Sequence, residues 1–220
     1  MKRRKPFLSV LLGSGMCLVT SAALADDVVT LTVWGSTNHP DNPSSISINN
    51  GSVVKTLTDD STFNNVTVTD DGSGAGTVTI AQSDIQFAPS SDTISGFTFV
   101  EQLRAQSDLN GTYDRNTGSS TATLNIDLKI TSNAPGFNNN TCVLPQISIN
   151  ANTDNGVAYS GGVGTLVDNT FAVGQFAHGS CGSFIFIGDY ADRINAQFQL
   201  PSPSGNVLWL ANAMNPALPP

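Results

Sequence analysis

STATLNIDLKIT, residues 120–131, alternates apolar and polar side chains from one end to the other. The apolar positions are Ala122, Leu124, Ile126, Leu128 and Ile130. Successive side chains of a β-strand point to opposite faces, so a period of two predicts a strand with one buried and one solvated face. Such strands are typical of antiparallel sheets.

Shorter runs with the same period lie on both sides of this segment. Asn50-Gly51, between two such runs, is a strong signal for a β-hairpin turn. Many short strands separated by Gly, Asn and Asp turns predict an all-β fold, and we expect an antiparallel β-sandwich with Greek-key or jelly-roll-like connections. The runs that we predict as strands are residues 28–34, 45–49, 52–58, 66–69, 77–80, 93–101, 146–150, 184–187 and 206–212, and we expect further β segments between Val157 and Phe176.

One short helix is predicted near residues 189–199. Asp189 can cap its start, and Pro201 and Pro203 end it. Apolar side chains recur at every fourth position, at Tyr190, Ile194 and Phe198. We expect this apolar stripe to cover an open end of the core, the alternative being a binding site for a partner.

The N-terminal segment has the pattern of a secretory signal. Four basic residues at positions 2–5 precede an apolar run from Phe7 to Thr20, and Ala23-Leu24-Ala25 matches an A-x-A cleavage site. The run is shorter than the ~20 residues that a membrane-spanning helix needs. We therefore predict a cleaved signal peptide at 1–25 and a single secreted β-sandwich domain at 26–220. No later run is apolar enough for membrane insertion by a helix.

The predicted mature chain is acidic. All 17 acidic residues follow position 25 and four of the 9 basic residues precede it, which leaves a net charge of −12. This balance argues against binding to nucleic acid and to anionic lipid, both of which attract basic surfaces. It is compatible with a soluble protein that attracts cations.

Two cysteines, Cys142 and Cys181, remain after the predicted cleavage. In an exported protein such a pair predicts a disulfide, here worth about 3 to 4 kcal/mol by chain-entropy arguments. The alternative is a metal site, because His178 and Cys181 have an H-x-x-C spacing and His39 is the one other histidine.

Catalytic motifs are weak in this sequence. The Gly-x-Ser-x-Gly elbow of serine hydrolases is absent, and His39 and His178 are the only histidines that could act as a base. Glu101 with Asp108 or Asp114 could form the carboxylate pair of a glycosidase, although any acidic β-protein supplies such pairs by chance. We therefore predict a protein that is not an enzyme.

Two kinds of binding site are compatible with the sequence. The aromatic residues Trp34, Trp209, Tyr113 and Tyr159 could form a platform on which sugars stack, or they could be buried. The oxygen-rich loops 70–74 and 152–156 could bind calcium, or they could be ordinary hairpin turns. Apart from possible calcium, no cofactor is predicted.

In general character the chain resembles secreted bacterial β-sandwich surface proteins, including fimbrial subunits. The shared features are the signal peptide, one cysteine pair, Thr/Asn/Gly-rich strands and scarce charge. Fimbrial subunits usually carry their cysteines early, whereas here the pair is late, so donor-strand polymerisation does not follow from the resemblance. We predict a secreted or cell-surface protein with a structural or adhesive role, through self-association or surface partners. The alternative is an extracellular module that binds a glycan or another small ligand, and a carbohydrate-active hydrolase is less favoured.

Overall fold

A computed structural model describes residues 26–70 and 72–218, and the predicted signal peptide lies outside these residues. The chain is all-β and antiparallel, as predicted, with one short helix. Among the described residues, no helix has the length and apolar character needed to cross a membrane. The strands are β1 Asp27–Val33, β2 Ser45–Ile48, β3 Val53–Thr56, β4 Ser61–Asp70, β5 Ala75–Ile80, β6 Ile85–Gln86, β7 Ser90–Ile94, β8 Phe97–Ala105, β9 Leu109–Asp114, β10 Ser120–Thr131, β11 Thr141–Ser160, β12 Val163–Asp168, β13 Ser183–Phe184, β14 Gly188–Asp189 and β15 Val207–Asn215, and the helix is α1 Tyr190–Phe198.

The prediction of a β-sandwich was wrong, because the pairing of β1 closes the sheet into a barrel. β1 pairs with β4 on one side and with β15 on the other, in register Val33↔Asn212 to Thr30↔Asn215. In the part of the chain that the structure describes, this pairing closes eight antiparallel strands into a barrel in the order β1-β4-β5-β9-β10-β11-β12-β15. Alternation along one strand is the same in a sandwich and in a closed barrel, so the sequence pattern did not separate the two folds.

β-Bulges bend the strands of the ring, and two of them contain a residue with a left-handed backbone. Asn65 has φ 50° where the register of β4 against β1 shifts, and Gln146 has φ 56° where the register of β11 against β10 shifts. An extra residue in one strand bends that strand and increases its twist, and this favours closure of a sheet. The left-handed backbone at Asn65 suits asparagine, which tolerates that conformation better than most residues.

The barrel interior is formed by the apolar positions of the alternating runs. Ile126 on β10 is 1% exposed, and Val33 and Phe63 are equally inaccessible. The polar face of β10 departs from the prediction at Asp127, which is 4% exposed because the Arg104 guanidinium covers it with two hydrogen bonds of 2.8 and 2.5 Å.

Two hairpins extend the sheet beyond the ring at one end of the barrel. The β2–β3 wing pairs with the first residues of β15, and the β7–β8 wing pairs with the second half of β10. Residues 93–101 were predicted as one strand. The chain instead turns at Ser95 and Gly96, whose φ angles are 53° and 85°, the backbone that a tight two-residue hairpin requires.

The helix and the disulfide confirm the predictions made for them. Asp189 caps α1 by accepting a hydrogen bond from the Asp192 N–H at 3.2 Å, and the stripe of Tyr190, Ile194 and Phe198 is buried. Cys142 on β11 is bonded to Cys181 in the segment before β13. Because Cys181 is in the disulfide, it does not offer a thiolate to the alternative, an H-x-x-C metal site.

Candidate functional site

An apolar cavity of about 100 Å³ lies between the β2–β3 wing and the β7–β8 wing. Inward-facing side chains of both wings form its walls, and α1 with the segment that follows it closes one side. The cavity reaches the surface beside β3 and β7, where the side chains of Lys55 and Asp92 are 30% and 28% exposed. Each of these strands has one neighbouring strand among the described residues. Its apolar lining includes Ile46, Val53, Leu57, Leu103, Leu128, Val173, Phe198, Leu200 and Leu208.

The cavity exists because two strands of the ring, β10 and β15, extend beyond the strands that flank them in the ring. β10 pairs with β9 through Ser120–Thr123 and then with β8 from Ile126 onward. β15 likewise pairs with β2 at Val207–Trp209 and with β1 further along. The two wings therefore separate from the ring at the same end, and their apolar faces meet only through side chains.

A polar cluster of Lys55, Ser90, Asp92 and Glu101 stands where the cavity opens. Lys55 Nζ lies 2.5 Å from Asp92 Oδ2 and 3.5 Å from Glu101 Oε1, so that one ammonium joins the two wings. The Ser90 hydroxyl donates to Glu101 Oε2 at 3.3 Å. The Lys55 ammonium also lies 5.0 Å from the centre of the Phe198 ring, a favourable cation–π distance.

Glu101 is the buried member of this cluster. It is 6% exposed, and burial raises the pKa of its carboxyl group above the ordinary value of 4.5, against the opposing effect of the Lys55 charge. A carboxylate removed from water resists ionisation because the charged form loses its hydration. A buried acid with a raised pKa in a cavity wall is a common feature of functional sites.

The carboxylate pairs of Glu101 with Asp108 or Asp114, which the less favoured glycosidase alternative would need, are not assembled in the structure. The Asp108 carboxylate accepts from the Gln82 N–H at 2.8 Å, and the Asp114 carboxylate accepts from the N–H groups of Asn116 and Thr117. Both carboxylates thus hold turns, and neither has a contact with Glu101. The carboxyl group that does lie near Glu101 is that of Asp92, across Lys55.

The four predicted aromatic residues fall into two separate pairs. Trp34 and Trp209 are half-buried on the outer face of the barrel, Trp34 directly after β1 and Trp209 on the neighbouring strand β15. Trp34 stacks on His39 with ring centres 4.3 Å apart, and Trp209 Nε1 donates to Asn42 at 3.2 Å. The loop after β1 therefore covers this pair in part.

Tyr113 and Tyr159 lie inside the barrel. They are 7% and 9% exposed and pack edge to face with ring centres 5.9 Å apart. The Tyr159 hydroxyl donates to Asn212 at 2.6 Å. The structure does not join the tyrosines to the tryptophans in one platform, and a ligand-binding role for these four residues stays a prediction.

The loops predicted as turns or calcium sites make the hydrogen bonds of turns. The Asp70 carboxylate accepts from the N–H groups of Gly72 and Gly74 and lies 3.0 Å from Arg115 Nε. Asn152 accepts from the Asp154 N–H at 2.9 Å. These contacts support the turn alternative, and calcium binding stays a prediction.

His178 has different neighbours from those predicted. Its Nδ1 lies 3.0 Å from an Asp192 oxygen and 3.8 Å from an Asp189 oxygen, so the three side chains could share a metal ion. Asp189 is already used as the cap of α1 and accepts from the Gly179 N–H at 2.8 Å. The 3.0 Å contact with Asp192 accounts for the position of the histidine without a metal.

Sequence reasoning did not predict the polar cluster, since Lys55, Ser90 and Asp92 were not among its candidate site residues. A signal was present at Lys55, which occupies an inward position of the alternating run Val53, Lys55, Leu57 in a chain with very few basic residues. Its partners on β7 and β8 come from another part of the chain, and no local pattern connects them.

Comparison with known proteins found no matching family model, no matching curated protein and no matching solved structure.

Proposed function

We propose that this protein is an exported binding module that holds a small, largely apolar ligand in the cavity between its wings. The observation that carries the proposal is an apolar cavity open to the surface with a single polar cluster, including a buried carboxyl group, at its opening. Binding sites for small molecules are typically concave and mostly apolar, with a few placed polar groups. This is the small-ligand alternative derived from the sequence.

The size of the cavity sets the size of the ligand. A dry engineered cavity of about 150 Å³, lined by Leu, Ile and Phe, binds benzene. The cavity here is about 100 Å³ and has a comparable lining, while its opening between β3 and β7 leaves room for part of a ligand to extend outward. A short alkyl chain or part of an aromatic ring therefore fits inside, and the rest of the ligand lies in the opening.

Export to an oxidising compartment is part of the proposal. The disulfide between Cys142 and Cys181 supports it, since such bonds persist in secreted and periplasmic proteins. The predicted signal peptide at 1–25 supports it from the sequence.

Toluene binding to the purified protein tests the proposal. We expect toluene to shift the NMR signals of the cavity residues and to raise the melting temperature. Ala88→Leu should weaken binding by at least about tenfold, because Ala88 lines the cavity and the larger side chain fills it. Ala75→Leu is the matched control, since Ala75 is exposed on β5. No toluene response at millimolar concentration, or equal responses in wild type and Ala88→Leu, would contradict the proposal.

A structural or adhesive role is a second candidate, favoured by an exposed apolar tip. Ile185 and Phe186 connect β13 to β14, and each is 85% exposed. Large apolar side chains exposed side by side often mark interaction sites.

If the tip mediates self-association, light scattering should show assemblies of the wild type that the variant Ile185→Ser/Phe186→Ser lacks. Val157→Ser, at a 56% exposed valine, is the control. A wild type that remains monomeric up to millimolar concentration would remove self-association as a role for the tip.

A further inference from the structure

The acceptor atoms of Glu101 are incompletely used by their neighbours. A carboxylate offers about four acceptor positions. Among the described residues, Glu101 Oε2 accepts from Ser90 at 3.3 Å and Oε1 faces Lys55 at 3.5 Å, and both contacts are long. Buried acceptors without full hydrogen bonding are unfavourable. A ligand group that donates a hydrogen bond to Glu101 would therefore be stabilising.

The charge of the cluster favours the same kind of group. The carboxylates of Asp92 and Glu101 face one ammonium, that of Lys55, so an ionised cluster has a net charge of −1. The ammonium is closest to Asp92 and lies over the Phe198 ring. Lys55 is thus held on protein partners, and an anionic head group entering here would meet excess negative charge.

We infer that the cavity selects ligands that combine an apolar body with a hydrogen-bond-donating head, an amine or an alcohol, and discriminates against carboxylates. The inference rests on the proposed function, which places the apolar body between the wings. The head lies at the opening, where Glu101 accepts its hydrogen bond. The same geometry disfavours a purely apolar ligand, because such a ligand leaves the spare acceptor positions of Glu101 unfilled.

Four compounds of nearly equal size separate these effects: toluene, benzyl alcohol, benzylamine and benzoate. With the wild type we expect benzylamine and benzyl alcohol to bind more tightly than toluene, by a factor on the order of tenfold for one hydrogen bond to a charged group. Benzoate should bind most weakly. Dissociation constants from NMR titration at pH 7.5 give this ranking without any variant, so it does not depend on a mutant that folds.

Glu101→Gln locates the source of the preference. We expect the advantage of benzylamine over toluene to fall by roughly tenfold and the penalty for benzoate to shrink, while toluene affinity changes by less than about twofold. Asp154→Asn makes the same carboxylate-to-amide change at an exposed position of β11 and should leave the ranking unchanged.

The outcomes distinguish the inference from the function on which it rests. Toluene binding with no preference for the amine or the alcohol would overturn the inference and leave the proposed function standing. Absence of binding by all four compounds would overturn both. A preference that survives Glu101→Gln unchanged would overturn the assignment of Glu101 as the acceptor.

Discussion

Several polar side chains are buried in this protein because a partner from a distant strand satisfies them. Asn212, which is 0% exposed, accepts from Tyr159, and Asp127 is covered by Arg104. Glu101 is less well satisfied than these two side chains, since its contacts with Ser90 and Lys55 are long. Sequence reasoning predicted Asp127 on the solvated face of β10, and it could not anticipate the arginine that buries this side chain.

The raised pKa of Glu101 predicts a pH-dependent effect of Glu101→Gln on stability. The unfolded chain loses this proton near the ordinary pKa of 4.5, while the folded chain keeps it to higher pH. The free energy of unfolding therefore falls as the pH rises through the raised pKa, and the glutamine variant avoids this loss. We expect the melting temperature of Glu101→Gln, relative to wild type, to be higher at pH 7.5 than at pH 4.

Asp154→Asn serves as the control for this measurement, because Asp154 is exposed. A difference in melting temperature between Glu101→Gln and wild type that is the same at both pH values would show that Glu101 is solvated in the folded protein.

The two interior tyrosines should respond differently to loss of the hydroxyl group. Tyr159→Phe leaves the buried oxygen of Asn212 without its donor and should lower the free energy of unfolding by about 1 to 3 kcal/mol. The Tyr113 hydroxyl has no such buried partner among the described residues, so Tyr113→Phe should stay within about 0.5 kcal/mol of wild type. Urea denaturation measures both values, and equal losses would argue against the Tyr159–Asn212 bond.

At the scale of elements, α1 and the β7–β8 hairpin show what local sequence decides. The start and the buried stripe of α1 follow from Asp189 and from the spacing of its apolar residues, which act within one or two turns of chain. The hairpin at Ser95 and Gly96 was missed although the apolar spacing changes there, since Ile94 and Phe97 are three positions apart and a continuous strand would place them two or four apart. A serine in left-handed conformation is also a weak turn signal.

Removal of the α1 cap should be measurable. The Asp189 carboxylate accepts from Asp192 N–H at 3.2 Å and from Gly179 N–H at 2.8 Å, so Asp189→Ala should cost about 1 to 2 kcal/mol of stability. Asp192 is in the same turn, and its side chain is 58% exposed, so Asp192→Ala should cost less than half as much in urea denaturation. A larger loss in Asp192→Ala would indicate that the His178–Asp192 pair, and not the cap, holds this end of the helix.

The whole molecule is defined by closure of the ring and by the two wings that leave it. Closure gives β1 a partner on each side, while β3 and β7 each keep one neighbouring strand in the described part of the chain. The cavity forms where the β2–β3 wing and the β7–β8 wing separate from the ring. The fold and the candidate site thus have one origin, the length of β10 and β15 relative to their neighbours.

Hydrogen exchange should reveal this architecture. Amide protons of β1 are expected to exchange as slowly as those of β10, because both strands are paired on two sides. Amides of β3 and β7 should exchange faster, since one edge of each is unpaired in the described chain. Exchange of β1 at the rate of β3 would mean that the ring is open in solution and that a sandwich describes the protein better.

The sequence by itself determined the all-β class, the strand at 120–131, the capped helix and the cysteine pair. The class and the strand depend on the period of side chains along one segment, and the helix depends on a capping residue and its near neighbours. The disulfide follows because the predicted mature chain has two cysteines and hence one possible pairing. Only the tertiary structure decided that the sheet closes and that Lys55 meets Asp92 and Glu101 across a cavity. Those features depend on which strands pair and where each pairing stops. Strand pairing is determined by many contacts between residues that are far apart in the sequence. A strand's alternation looks the same whichever neighbour it has.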